Sequence, residues 1–229
     1  LPALEAALSE IVRRHESLRT RFAMVDGEGV QVIDPPSAFV LEVEDLSGLP
    51  DEARAEAAQA RIQAVVEQPF DLEQGPVFRA GLLRLGPQEH VLLLAMHHIV
   101  SDGWSMGVLT RELGQLYEAF SKGEASPLAE LELQYADFAL WQREWLQGPR
   151  LERQLDYWRE QMRDAPAALE LPTDRPRPPV ASFRGGLHAF SLPADLSERL
   201  QELSRREGAT LFMVLLAAFQ VVLGRWSGQ

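Results

Sequence analysis

The chain has 229 residues, of which 46% are hydrophobic and 24% are charged, so it can build a sizeable core. It contains no cysteine, which excludes disulfides and thiolate metal sites and fits a reducing, cytoplasmic location. Its net charge of −12 argues against nucleic-acid binding, because Lys and Arg are needed to displace the counterions of a polyanion. The longest apolar stretch, residues 211–219, is about half as long as a membrane span requires and predicts a buried helix.

The first part of the chain alternates predicted helices and strands. Apolar residues at helical spacing predict a helix over residues 2–15. Residues 18–33 predict a β-hairpin around Asp26-Gly27-Glu28-Gly29. Further predicted elements are a strand near 39–44, a helix near 51–66, strands over 77–85 and 90–96, and a helix over 104–120.

The remainder of the chain predicts mainly helices, near 134–146, 150–163, 194–207 and 210–224, with a strand over 187–192. Five prolines between residues 166 and 179, without apolar periodicity, indicate a linker. We therefore expect one lobe over residues 1–165, a Pro-rich crossover over 166–184, and the start of a truncated second lobe over 185–229. Mixed strands and helices with hairpins favour an α/β sandwich over a strict βαβ repeat.

The segment with the clearest chemical potential follows the apolar strand over 90–96, which we expect to be buried on both faces. There His97 and His98 precede Asp102 and Gly103. Adjacent side chains on a strand point to opposite faces, so one histidine can pack inward while the other faces a cleft. An imidazole titrates near neutral pH and can take up a proton from an amine that attacks a thioester.

Several roles are open to the neighbouring residues. Asp102 could orient an imidazole or pair with a buried arginine, or else Asp102 or Ser101 could cap the following helix. Gly103 lets a backbone approach closely because it has no Cβ. We expect no metal site at His98 and Asp102, since no third ligand is near in sequence. We expect no serine nucleophile either, because Ser101 and Ser105 lie outside any Gly-x-Ser-x-Gly motif.

The pattern HHxxxDG at residues 97–103 resembles the signature of the condensation-domain superfamily of nonribosomal peptide synthetases, which includes chloramphenicol acetyltransferase-like acyltransferases. RHESLRTRF at 14–22 is similar to the second motif of that family, and YADFALW at 135–141 to the fourth. Segments at 69–76 and 171–176 also resemble family segments in matching order. The resemblance covers essentially the whole chain.

The resemblance implies a chloramphenicol acetyltransferase-like two-layer sandwich lobe, with a mixed sheet and flanking helices. It implies that the full domain forms an amide between a donor acyl or peptidyl thioester and an acceptor aminoacyl thioester. These substrates would arrive on the 4'-phosphopantetheine arms of upstream and downstream peptidyl carrier domains, beside an adenylation domain, with no cofactor bound directly. Residues 99–106 resemble the subtype that takes an L-configured donor.

The resemblance also implies roles for single residues. His98 would lie at the reaction centre, as a base or as a group that positions the amine. Asp102 would be structural and salt-bridged to Arg19 of the second motif, with Arg21 as the fallback. The supporting residues are then His97, Asp102, Gly103 and Arg19. Trp104 and Ser105 are expected to line the tunnel between the lobes, although Trp104 could equally be a core residue.

The resemblance also implies that parts of the full domain lie outside these 229 residues. The first family motif would precede residue 1, and most of the second lobe is expected to be absent. The isolated 229 residues are therefore expected to be inactive. Two alternatives stay open: an acyltransferase of the same superfamily that uses coenzyme A thioesters, and a non-catalytic module that docks carriers.

Overall fold

The computed structural model describes residues 1–176, 178–180 and 185–228. The chain divides into two compact units, Leu1–Arg150 and Leu151–Gln229.

The first unit contains both sheets of the described chain. Its elements are α1 (Pro2–Arg14), a short 3₁₀ helix (Glu16–Arg19), β1 (Thr20–Val25), β2 (Glu28–Ile33), β3 (Glu42–Asp45), α2 (Asp51–Glu67), β4 (Phe78–Arg84), β5 (His90–Met96), α3 (Gly103–Ser121) and α4 (Tyr135–Trp145). Helix α5 (Gly148–Gln161) contains the boundary. These bounds confirm the predicted order of helices and strands up to residue 163.

Strands β1 and β2 form the predicted antiparallel hairpin. Val25 pairs with Glu28, which leaves a two-residue turn of Asp26 and Gly27. Both turn residues have positive φ angles, 52° and 81°. Two consecutive left-handed residues give the turn the twist that antiparallel strands require, and Asp-Gly adopts it readily. The local sequence therefore determines this hairpin.

The second sheet is mixed and has the strand order β3-β4-β5. Strand β3 runs parallel to β4, with Glu42 opposite Gly81. Strand β5 runs antiparallel to β4, with Phe78 opposite Met96. The carboxyl end of β5 therefore lies beside the start of β4, and the chain leaves the sheet there.

Strand β5 contacts apolar residues through both faces but is not fully buried. Leu92, Leu94 and Met96 pack against the larger core cluster, whereas Val91 and Leu93 pack against the smaller one. All of these side chains remain partly exposed. The prediction of a strand buried on both faces is met only in part: each face packs against a core cluster, but the side chains stay partly exposed at this edge strand, which has a neighbour on one side only in the described sheet.

The main core lies between α1, α3 and the sheet. Leu8 and Ile11 of α1 meet Leu113 and Leu116 of α3 over Phe78 of β4. Each fully buried aliphatic side chain contributes about 1.5–3 kcal/mol. This packing fixes α3 against the sheet, so the loop from β5 to α3 has firmly held ends.

The second unit contains α6 (Ala194–Arg206) and α7 (Leu211–Ser227) in the predicted places. The predicted strand over 187–192 is wrong: a strand needs a hydrogen-bonded neighbour, and these residues pair with no described segment. The prediction of a buried helix over 211–219 is also wrong, since Phe212 is 71% exposed and Phe219 58%. Helix α6 contacts α7 but leaves these side chains uncovered.

No single helix of the described chain is both long and apolar enough to cross a membrane. Helices α6 and α7 meet that test only when they are taken together, and they are bent by 107°.

Candidate functional site

The site is built on the loop that joins β5 to α3. The backbone N–H of His97 donates to the carbonyl of Val77 (3.0 Å), which ties the loop to the start of β4. The carbonyl of His97 accepts from the backbone N–H of Val100 (3.1 Å) and from the hydroxyl of Ser101 (3.2 Å). The loop is thus folded back on itself, and His98 lies at its turn.

The ring of His97 is half-buried and fixed on two sides. Its Nδ1 accepts a hydrogen bond from the backbone N–H of Ile99 (3.0 Å), so Nε2 carries the proton of the neutral ring. It packs against Phe70 in a T-shaped arrangement, with ring centroids 5.8 Å apart. The guanidinium carbon of Arg79 lies 3.9 Å from the centroid of the same Phe70 ring. His97 therefore holds the loop by its own contacts.

His98 is exposed and lines a cavity of about 520 Å³. Its imidazole makes no hydrogen bond to the described residues and is free to meet a ligand. The cavity collects residues from three of the segments that resemble family motifs. They include His15, Thr20 and Phe22 of residues 14–22, Asp102 of residues 97–103, and Tyr135 of residues 135–141.

The cavity has an uneven electrostatic character. The carboxylate of Asp102 is the one formal charge among its described lining residues, and no Lys or Arg is among them. Ile99, Leu131 and Leu133 give it an apolar part. Such a lining disfavours anions and accommodates a neutral or cationic group, such as an amine.

Asp102 is the N-cap of α3. Its Oδ1 accepts from the backbone N–H (2.8 Å) and the hydroxyl (2.7 Å) of Ser105, while its own N–H donates to the Ser105 hydroxyl (3.2 Å). This reciprocal pair is a capping box. The hydrogen bonds from Ser105 hold the pKa of the Asp102 carboxyl below its ordinary value. Of the roles open from sequence, the geometry is that of the helix cap.

The ion pair between Asp102 and Arg19 is not formed among the described residues, nor is the fallback pair with Arg21. Arg19 donates to the carbonyl of Asp34 and lies 3.3 Å from a carboxylate oxygen of Glu16. Arg21 binds the carboxylate of Asp34 through two bonds of 2.7 and 2.9 Å, which lower the pKa of Asp34. The expected pairing is wrong because Arg19 and Arg21 bind residues close to the hairpin. The carboxylate of Asp102 instead accepts hydrogen bonds from Ser105.

The remaining predicted residues lie at the start of α3. Trp104 is 84% exposed, so the alternative that it is plain core is wrong. It lines a smaller pocket of about 150 Å³, and Ser105 lines both this pocket and the His98 cavity. A Cβ on Gly103 would meet no atom within 4 Å, so packing of the described chain does not require glycine there. Their place in a tunnel stays a prediction.

A charged cluster that shares His15 with the cavity was missed from the sequence. Glu112 of α3 lies 2.8 Å from Nε2 of His15 and 3.5 Å from Nε of Arg14. Arg14 also donates to the carbonyl of Ala129 (2.8 Å). A signal was present, because Glu112 falls within the apolar stripe of an amphipathic helix and a buried acid needs a partner.

No group of three or more His, Cys, Asp or Glu side chains is placed to hold a metal ion within the described ranges.

Comparison with known proteins identifies the family. The condensation-domain family model matches residues 1–229. A linear gramicidin synthase protein of Brevibacillus parabrevis is 55% identical over 227 residues, which is 99% of this chain and 3% of that protein. The chain therefore spans a small part of this curated relative.

Solved structures agree. The X-domain from teicoplanin biosynthesis superposes with a TM-score of 0.89 at 33% identity, over 98% of this chain and 49% of that one. The first condensation domain of the CDA synthetase gives a TM-score of 0.75 at 25% identity, over 100% and 54%. The chain spans about half of each solved chain. These likenesses confirm the predicted chloramphenicol acetyltransferase-like α/β fold. The chain belongs to the condensation-domain family of nonribosomal peptide synthetases.

Proposed function

We propose that the full-length protein carrying this chain forms an amide bond between a donor acyl or peptidyl thioester and an acceptor aminoacyl thioester, with His98 at the reaction centre. One observation carries the proposal: residues from the segments at 14–22, 97–103 and 135–141 line a single cavity in which the His98 imidazole is exposed. Segments far apart in sequence thus lie around one histidine whose ring makes no hydrogen bond to the described residues.

The chemistry follows from the reactants. The acceptor nitrogen forms a bond to the donor carbonyl carbon, the carbon–sulfur bond breaks, and the proton lost by nitrogen is gained by the departing thiolate. His98 would hold that proton between the two events or orient the amine. A thioester is already activated, so orientation and exclusion of water supply most of the acceleration.

The partners follow from the same proposal. Both thioesters would be carried on 4'-phosphopantetheine arms of upstream and downstream peptidyl carrier domains, beside an adenylation domain, in the cytoplasm. No directly bound cofactor is proposed. The resemblance of residues 99–106 supports an L-configured donor. We further propose that the isolated 229 residues do not turn over, because a tunnel between two lobes would have only one wall.

The test is amide formation by the full-length protein with loaded donor and acceptor carriers, followed by mass spectrometry. His98→Ala is expected to lower the rate at least about 100-fold, the lower range for a positioned proton-transfer group. His90→Ala is the matched control, since His90 is an exposed histidine on β5 that does not line the cavity. Equal rates for wild type and His98→Ala would contradict the proposal. Use of an acyl-coenzyme A donor in preference to a loaded carrier would favour the coenzyme A alternative.

A second candidate function is docking without catalysis. It is favoured by the TM-score of 0.89 with the X-domain from teicoplanin biosynthesis, which has also been solved in a complex with OxyB. Titration of a carrier protein against the full-length protein separates the two functions. Tight binding of the carrier with no amide product from any donor would support docking.

A further inference from the structure

We infer that His15 is a second imidazole of the reaction cavity and binds the acceptor amine together with His98. The inference rests on the proposed function and deepens it, since it assigns a substrate contact to a residue of the segment at 14–22. It starts from an observation: His15 lines the same cavity as His98, and the structure gives it a buried carboxylate partner.

The bond to Glu112 sets the tautomer of His15. Nε2 of His15 lies 2.8 Å from Oε2 of Glu112. With Glu112 as a carboxylate, which only accepts hydrogen bonds, Nε2 of His15 is the donor and carries a proton. In the neutral ring Nδ1 is then an acceptor, and it has no hydrogen-bond partner within the described part of the chain.

The carboxylate of Glu112 has a second buried partner, Arg14. The Glu112 side chain is 11% exposed and that of Arg14 is 3% exposed, with 3.5 Å between Oε2 and Nε. The charge of Arg14 compensates that of Glu112 in this dry setting. The backbone of His15 is fixed as well, since its N–H donates to the carbonyl of Ile11 (3.0 Å) at the end of α1. Ring and backbone are therefore preorganised before any ligand binds.

The cavity offers this pair of imidazoles to an amine. Its described lining has no Lys or Arg that would repel a cation or bind an anion. A neutral primary amine carries two N–H donors and one lone pair. If one N–H is donated to His98 and the other to Nδ1 of His15, the lone pair remains free to attack the thioester carbon. After attack, one proton passes through His98 to the departing thiolate, and the other stays on the amide.

The alternative is that His15 only ties α1 to α3 through Glu112. His15→Gln separates the two roles, because its amide N–H can still reach Glu112 while the ring acceptor is lost. In the full-length protein we expect the KM for the acceptor thioester to rise roughly threefold to tenfold, the range of one hydrogen bond. The KM for the donor thioester should not change. His90→Gln is the matched control.

A substrate cycle makes the test independent of partial unfolding. An N-methyl acceptor has one N–H, so in wild type it should lose efficiency beyond its steric penalty. In His15→Gln the ratio of kcat/KM for the primary and N-methyl acceptors should fall roughly threefold to tenfold. An unchanged ratio overturns the inference, as does an equal loss for donor and acceptor.

Should His15→Gln prove too unstable to assay, the wild-type protein provides the readout. Diethylpyrocarbonate acylates accessible imidazole nitrogens, and the acceptor-loaded carrier should protect His15 and His98 while His90 stays reactive. Unprotected His15 would refute the inference. A wild type that forms no amide refutes the proposed function and this inference together. If the wild type is active and His98→Ala loses activity while His15→Gln does not, this inference alone is refuted.

Discussion

Replacing Glu112 by leucine tests whether the charged cluster of Glu112, Arg14 and His15 stabilises the packing of α1 against α3. In wild type, the Glu112 carboxylate faces Arg14 and His15 at 3.5 and 2.8 Å. The variant leaves the Arg14 side chain, which is 3% exposed, with the carbonyl of Ala129 and no anion. Removal of one partner from a buried ion pair costs about 3–5 kcal/mol, because the remaining charge is desolvated and uncompensated. We expect the free energy of unfolding of the packed α1 and α3 helices to fall by this amount.

Hydrogen exchange of α1 and α3 peptides in the full-length protein measures this loss locally. A cost of about 3 kcal/mol corresponds to a fall in protection of over 100-fold, at 1.4 kcal/mol for each factor of ten. Arg14→Leu/Glu112→Leu should recover part of it, since no unpaired charge then remains. Glu118→Leu is the control on the same helix, because its pair with Lys122 is exposed and should matter little. Equal protection in the Glu112 and Glu118 variants would refute the reasoning.

Two further predictions concern the loop that carries His98. The pKa of Asp102 lies below its ordinary value because Ser105 donates hydrogen bonds to the carboxylate. The stabilisation that these bonds give to the folded state is therefore present above the unfolded pKa of about 4 and is lost as pH falls through the folded pKa. Exchange of the first turn of α3, corrected for intrinsic pH dependence, should therefore accelerate in acid. Ser105→Ala keeps the backbone N–H donor but removes the hydroxyl, so it should move the change to higher pH; an unmoved midpoint would contradict the contribution of the hydroxyl. Phe70→Leu removes the ring between Arg79 and His97 and should slow amide formation roughly tenfold or less while carrier binding persists. An unchanged rate would show that the ring contact does not position the loop.

Local sequence chemistry explains what was predictable in the fold. The hairpin turn at Asp26 and Gly27 needs two left-handed residues, and that requirement is visible in the dipeptide itself. The cap at Asp102 is similarly local, because its partner Ser105 lies three residues away. Helices with clear apolar periodicity, such as α1, were predicted for the same reason.

Elements that depend on distant partners were harder to predict. A strand was expected over 187–192, but a strand forms only where another segment pairs with it. Burial of β5 depended on its place at the sheet edge, which periodicity does not encode. The apolar run in α7 indicated a core helix, yet burial requires a covering element.

In the candidate site too, local features were easier to predict than contacts between distant residues. His98 is exposed and His97 is half-buried, but both follow the end of β5 at Met96, so strand alternation does not explain the difference, and their roles stay predictions. The cluster of Glu112 with His15 was missed because the two residues are 97 positions apart. The pair of Asp102 with Arg19 was carried over from the family resemblance, and the structure instead gives each residue a nearer partner.

The central claim is that the cavity lined by His98 is where the amine meets the thioester. A crystal structure of the full-length protein with an acceptor carrier, loaded with a non-hydrolysable aminoacyl pantetheine amide, tests it most directly. We predict that the amine nitrogen lies within about 3.2 Å of a ring nitrogen of His98. An ordered arm that ends outside this cavity, with His98 untouched, would contradict the claim.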